Sequence, residues 1–194
     1  VLRSTTILLA AGVPAFNGYD IYPIIIDYDA ANKDKDRTRD ILKQYQKINR
    51  IAYANHPLSS MPLGDQNMGQ FFGCAMKEMN GLNDFVLDFN PGDSSLKFRD
   101  KIGFDQMTGN LLPTQSLIES LYDTSDDPTT ELNLDLTVGF KGNPNIGSVI
   151  FHKLSDYNEY DAFVNTYKAD QGDKVVLIGS LFGGTGASGI PVLA

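Results

Sequence analysis

Apolar and polar positions along the chain alternate between two periods. Residues 1–13 (VLRSTTILLAAGV) carry Leu2, Thr6, Leu9 and Val13 on one helical face, and Asn17 and Gly18 then mark a turn. Residues 21–27 (IYPIIID) are a short, nearly all-apolar run, as expected of a strand buried on both faces of a parallel sheet, with Pro23 near its start. Residues 34–51 return to helical spacing, with Ile41, Leu42, Tyr45, Ile48 and Ile51 on one stripe. Between residues 52 and 131 the pattern weakens. Helix-like pieces fall around 67–80 and 113–122, a strand is expected at 83–89, and His56-Pro57, Asn90-Pro91-Gly92 and the acidic tract 123–127 punctuate the rest. This reads as an elaborated connection over a sheet.

Order then returns. Residues 132–138 (LNLDLTV) alternate like a strand, and helices are expected at 148–154 and 157–168. Residues 174–180 (KVVLIGS) form a second buried-strand run, and another helix start follows in FGGTGASGIP. Strands alternating with helices predict an α/β fold, Rossmann-like, with a mostly parallel sheet flanked by helices. In such sheets ligands gather beyond the carboxyl ends of strands, where the glycine-rich segments fall. Both chain ends lie inside helix-like patterns, so residues 1–194 are expected to be part of a longer protein.

Composition narrows the function classes. The 24 acidic against 16 basic residues give a net charge of −8, and no basic stripe marks a nucleic-acid binder. No apolar run approaches the roughly 20 residues that cross a bilayer, so direct membrane insertion is not expected. The single cysteine, Cys74, forms no internal disulfide, and the cytoplasm is the default compartment. Cys74 is expected to be a small core hydrophobe, since no histidine pairs with it in a motif. His56 and His152 lack motif partners, and Tyr22, Tyr28 and Tyr45 stand at spacings usual for a core.

Three segments carry candidate chemistry. In FGGTGASGIP, Gly183, Gly184 and Gly186 can adopt positive φ and admit a bulky anion against the backbone. The helix after them would turn its unpaired N–H groups and positive end toward that anion. Thr185 and Ser188 would add hydroxyls. In GNPNIG, Gly142 offers an open backbone, Asn143 suits a helix cap and Pro144 suits the first helical position. Asp27-Tyr28-Asp29 follows the isoleucine-rich run. Its carboxylates would repel phosphate directly, and so would act through Mg²⁺ or its waters, cap the next helix, or contact a ribose.

Taken in order, these segments resemble the tubulin/FtsZ family. FGGTGASGIPVLA is similar to GGGTGTGAAP of FtsZ-like proteins and GGGTGSG of tubulins. GNPNIG is similar to GGNPEIG, and IDYDA both to VDLEP of tubulins and to NTDA of FtsZ. The resemblance covers roughly residues 1–51 and 132–194. Phe182 stands where a first glycine is usual, and Ser188 replaces a later one. The resemblance implies GTP or GDP held by Gly183, Gly184, Thr185, Gly186, Gly142 and Asn143, with Asp29 contacting Mg²⁺ through water. It also implies a divergent bacterial tubulin-like domain seen in its first half. Such a chain would self-associate head to tail into filaments as a GTPase, its active site completed by a neighbouring subunit. Two alternatives stay open. One is a tubulin-like scaffold without hydrolysis. The other is an NAD(P)-binding oxidoreductase, because Gly183, Gly186 and Gly189 also satisfy a dinucleotide-binding spacing.

Overall fold

In the computed structural model, helix α2 spans Lys33–Tyr53 and shows how local sequence and packing combine. Asp34 and Asp36 in its first turn and Arg50 in its last complement the helix dipole. Leu42 and Tyr45 are buried, but Ile48 and Ile51 are 44% and 70% exposed, so the expected apolar stripe ends at Tyr45. Polar groups continue the packed face. Gln46 Nε2 donates to the Met76 carbonyl (3.0 Å) and Asn49 Nδ2 to that of Phe72 (2.5 Å). These amides satisfy buried backbone acceptors that isoleucine could not. The structure describes residues 2–12, 19–29, 33–53, 72, 74–87, 97–123, 125, 127 and 129–194. It is mixed α/β and divides into two units, one within residues 1–25 and 32–87, the other within 26–31 and 88–194.

In the first unit, α1 (Leu2–Ala10) packs on α2 and buries Leu9. The helix expected over residues 1–13 is thus present to Ala10, and Val13 lies outside the described residues. The strand expected over 21–27 is instead two short pieces, β1 (Asp20–Ile21) and β2 (Ile25–Ile26), on either side of Pro23, which can donate no ladder bond. β1 pairs in parallel with β3 (Ala75–Met76), and Ile25, the first residue of β2, donates its N–H to the Phe85 carbonyl (2.8 Å) just ahead of β4 (Val86–Leu87). The helix expected at 67–80 is therefore corrected at 75–76, which forms a strand; residues 67–71 and 73 lie outside the description, as do 88 and 89 of the strand expected at 83–89. A tight turn leads into β4 with Asp84 and Phe85 both at positive φ (53° and 65°). Burial of Phe85 and ion pairs from Arg39 (2.5 Å) and Lys43 (2.6 Å) to Asp84 hold it, and those cations keep the Asp84 carboxyl below its usual range.

The second unit contains α3 (Phe98–Lys101), α4 (Leu112–Leu121), α5 (Pro144–Phe151), α6 (Asn158–Thr166) and α7 (Gly184–Leu193). Helices expected at 113–122 and 157–168 correspond to α4 and α6, and α5 begins at Pro144, four residues before the helix expected at 148–154. Leu132, Leu134 and Leu136 are buried, yet 132–138 is not a strand. Asp135 accepts hydrogen bonds from Thr137 N–H (2.9 Å) and Thr137 Oγ1 (2.6 Å), which winds Leu136–Val138 into a 3₁₀ turn. This local side-chain bond competes with a ladder, which is cut to a single antiparallel bridge between Asp135 and Lys97. Residues 173–180 form no regular element and pair with no strand among the described residues, and Val176 and Ile178 are 75% and 59% exposed. An apolar run gives strand propensity; the strand itself needs a partner. Among the described residues the mostly parallel sheet that was expected is two two-stranded pairs, and no helix is long and apolar enough to cross a membrane.

Candidate phosphate-binding loops

The glycines before and within α7 do not serve the purpose their residue type suggests. None of Gly183, Gly184 and Gly186 has a positive φ: Gly183 is extended at −105° and the other two are helical. What they supply is room. A Cβ on Gly186 would lie 2.2 Å from the Ser180 carbonyl oxygen, and one on Gly189 would lie 2.8 Å from the Phe151 ring. A Cβ on Gly184 would reach Phe140 Cβ at 3.0 Å and the Gly142 nitrogen at 3.3 Å. Around Gly183 a Cβ would meet nothing within 4 Å. Ala187 N–H makes the first bond of this helix, to the Gly183 carbonyl (3.1 Å). The N–H groups of Gly184, Thr185 and Gly186 precede it and have no acceptor within the helix. No acidic residue stands in that first turn.

Ahead of α5 the backbone does need positive φ, at Gly139 (74°), Lys141 (46°) and Gly142 (79°). Asn143 occupies the N-cap position but does not cap with its side chain. Its Nδ2 donates back to the Phe140 carbonyl (3.1 Å), as does its own N–H (2.8 Å). The amide is spent closing the loop rather than satisfying the helix, which corrects the capping expectation. Pro144 opens α5 without needing a partner.

Asp27-Tyr28-Asp29 lies in the same unit. Asp27 Oδ1 accepts from Asp29 N–H (3.2 Å) and from Thr185 Oγ1 (3.3 Å), a link across 158 positions of sequence. The Tyr28 ring lies 5.4 Å from that of Phe140, and a Cβ on Gly139 would lie 3.5 Å from Asp29 Cβ. The three segments singled out in the sequence therefore come together. Asp27 reaches the glycine loop, whereas the sequence reading gave weight to Asp29. Phe140 was passed over altogether; an aromatic between glycines in GFKG was the available signal.

Other candidates resolve into packing. Ser188, expected to offer a hydroxyl to a ligand, is fully buried, donates to the Gly184 carbonyl (2.5 Å) and packs where a Gly147 Cβ would stand. Cys74 lies in the core of the first unit, where burial pushes its thiol up to about 11, so it is no ready nucleophile. Tyr45 is core, its hydroxyl bonded to the Cys74 carbonyl (2.8 Å). His152 is exposed at the end of α5, and His56 lies outside the described residues. Among the described residues no three His, Cys, Asp or Glu side chains form a metal cluster. Asp27 lies beside the Thr185 hydroxyl, with Asp29 two residues on; such carboxylates would hold Mg²⁺, which commonly takes one or two of them and completes its shell with water and phosphate oxygens. No protein-family model, curated protein or solved structure matches the chain.

Proposed function

We propose that this unit binds the phosphates of a guanine nucleotide, as a divergent member of the tubulin/FtsZ family with a Rossmann-like nucleotide-binding domain. One observation carries the reading: three loops distant in sequence meet, joined by the Thr185–Asp27 hydrogen bond and the close approach of Gly184 to Gly142. On this reading the starts of α5 and α7 would turn two positive helix ends, and the N–H groups that have no acceptor within α7, toward one anion. Backbone donors from Gly183, Gly184 and Gly186 would hold phosphate oxygens, Gly142 and Asn143 would flank them, and Thr185 would add a hydroxyl. Asp27 and Asp29 would orient Mg²⁺ through water, and the metal would offset phosphate charge. Head-to-tail self-association, with hydrolysis completed by a second copy, is the activity this reading proposes.

Titrating the full chain with GTP, GDP, ATP and NADPH by calorimetry tests it. Guanine nucleotides are expected to bind in preference to the other two. Tight NADPH binding without guanine-nucleotide binding would replace this reading with the oxidoreductase one. Asp29→Asn is expected to weaken magnesium-dependent GTP binding more than GDP binding, because its carboxylate would act near the terminal phosphate.

A further inference from the structure

We infer that Phe140 is a positioning residue that keeps the Asp27–Asp29 carboxylates in register with both glycine loops; the inference rests on the nucleotide-binding reading above. Phe140 is 1% exposed and touches each part of the candidate site. Its ring lies 5.4 Å from Tyr28, the residue between the two aspartates, and 6.1 Å from Phe151 of α5. Its Cβ is 3.0 Å from where a Gly184 side chain would begin, and its Cδ2 is 2.8 Å from the corresponding point at Gly147. Its carbonyl accepts both hydrogen bonds from Asn143 that close the loop before α5.

The backbone on either side is bent around this ring. Gly139 and Lys141 both have positive φ (74° and 46°), so the chain turns sharply into and out of one buried aromatic side chain. Lys141 adopts that conformation against the preference of a residue with a Cβ. Phe98 and Phe151, also buried, lie within helices and hold no such loop. Tyr28 meets the ring in a tilted arrangement, so the segment bearing both carboxylates is fixed by aromatic contact as well as by the Asp27–Thr185 bond. Loosening the ring pair would let the carboxylates shift relative to the α7 N–H groups while leaving those groups in place.

The test measures GTP affinity of wild type and Phe140→Leu, each with excess Mg²⁺ and with EDTA, alongside thermal unfolding. The gain in affinity from Mg²⁺ is expected to fall about tenfold in the variant, with affinity in EDTA retained, as for residues that orient metal-binding groups. Equal losses with and without Mg²⁺ would mark a purely structural role and overturn the inference alone. If Phe140→Leu fails to fold, Tyr28→Leu breaks the same ring pair from the other side; it is expected to show the same selective loss, and an undiminished Mg²⁺ gain there overturns the inference. A wild-type chain that binds no guanine nucleotide overturns both the inference and the functional reading beneath it.

Discussion

The loop ahead of α5 and the loop ahead of α7 use the same residue for different physical reasons. Before α5, Gly139 and Gly142 serve conformation: both have positive φ, and a Cβ on Gly142 would meet nothing within 4 Å. Around α7 the glycines serve space: none of Gly183, Gly184 and Gly186 is left-handed, yet a Cβ on Gly186 would enter the Ser180 backbone. Gly183 belongs to neither case. Its backbone suits any residue and its surroundings are open, so nothing in the fold explains a glycine there. Space requirements and conformational requirements carry different costs, and that difference can be measured.

Gly186→Val should give the largest effect. Its Cβ would stand 2.2 Å from the Ser180 oxygen, and the backbone on both sides must move. A loss of about 3 kcal/mol or more is expected from denaturant unfolding, at the upper end of overpacking costs. Gly142→Ala places a side chain at φ 79° in open space, so only the conformational cost of about 1–2 kcal/mol should appear. Equal costs at the two positions would erase the contrast between the loops. Lys141→Gly removes the same kind of strain at φ 46°, offset by the extra freedom of glycine when unfolded. A change within about 1 kcal/mol in the stabilising direction is expected.

The smallest of these stability effects concerns pH. Hydrogen bonds from the Thr137 hydroxyl and N–H hold the Asp135 carboxyl below its usual range. A depressed folded-state pKa gives stability that is present above the unfolded value, about 3.9, and lost as pH falls through the folded one. Asp135→Asn should flatten that acid limb of the unfolding profile slightly. An unchanged acid limb would mean that this turn does not depend on the charged form.

What could be read from the sequence was what local chemistry controls. The apolar spacing of α2, Pro144 opening α5 and the glycines leading into α7 each mark a helix without help from distant residues. The alternation in 132–138 goes with burial of Leu132, Leu134 and Leu136, but the Asp135–Thr137 bond winds the following residues into a turn and leaves one bridge, Asp135 to Lys97, where a strand was expected. Residues 174–180 have strand composition, and composition cannot supply a partner. Ala75–Met76 went the other way, taken from a helix-like pattern into a strand by pairing with β1. The candidate site was legible as three motifs. Its assembly was not, because Gly186 meeting Ser180, Phe140 meeting Tyr28 and Thr185 reaching Asp27 are all tertiary contacts.

Gly183→Val tests the central claim most directly, because it separates ligand from fold. Gly184 is less suitable, since a side chain there would press on Phe140 and Gly142 whether or not a nucleotide binds. At Gly183 the extended backbone accepts valine and no protein atom stands in its way, so unfolding should change by no more than about 1 kcal/mol, the scale of an altered helix cap. If the open space before α7 is where phosphate sits, the branched side chain fills it. Guanine-nucleotide affinity should then fall by about a hundredfold or more, roughly 2.7 kcal/mol. A stable Gly183→Val chain that binds GTP as wild type does would contradict the phosphate-binding account.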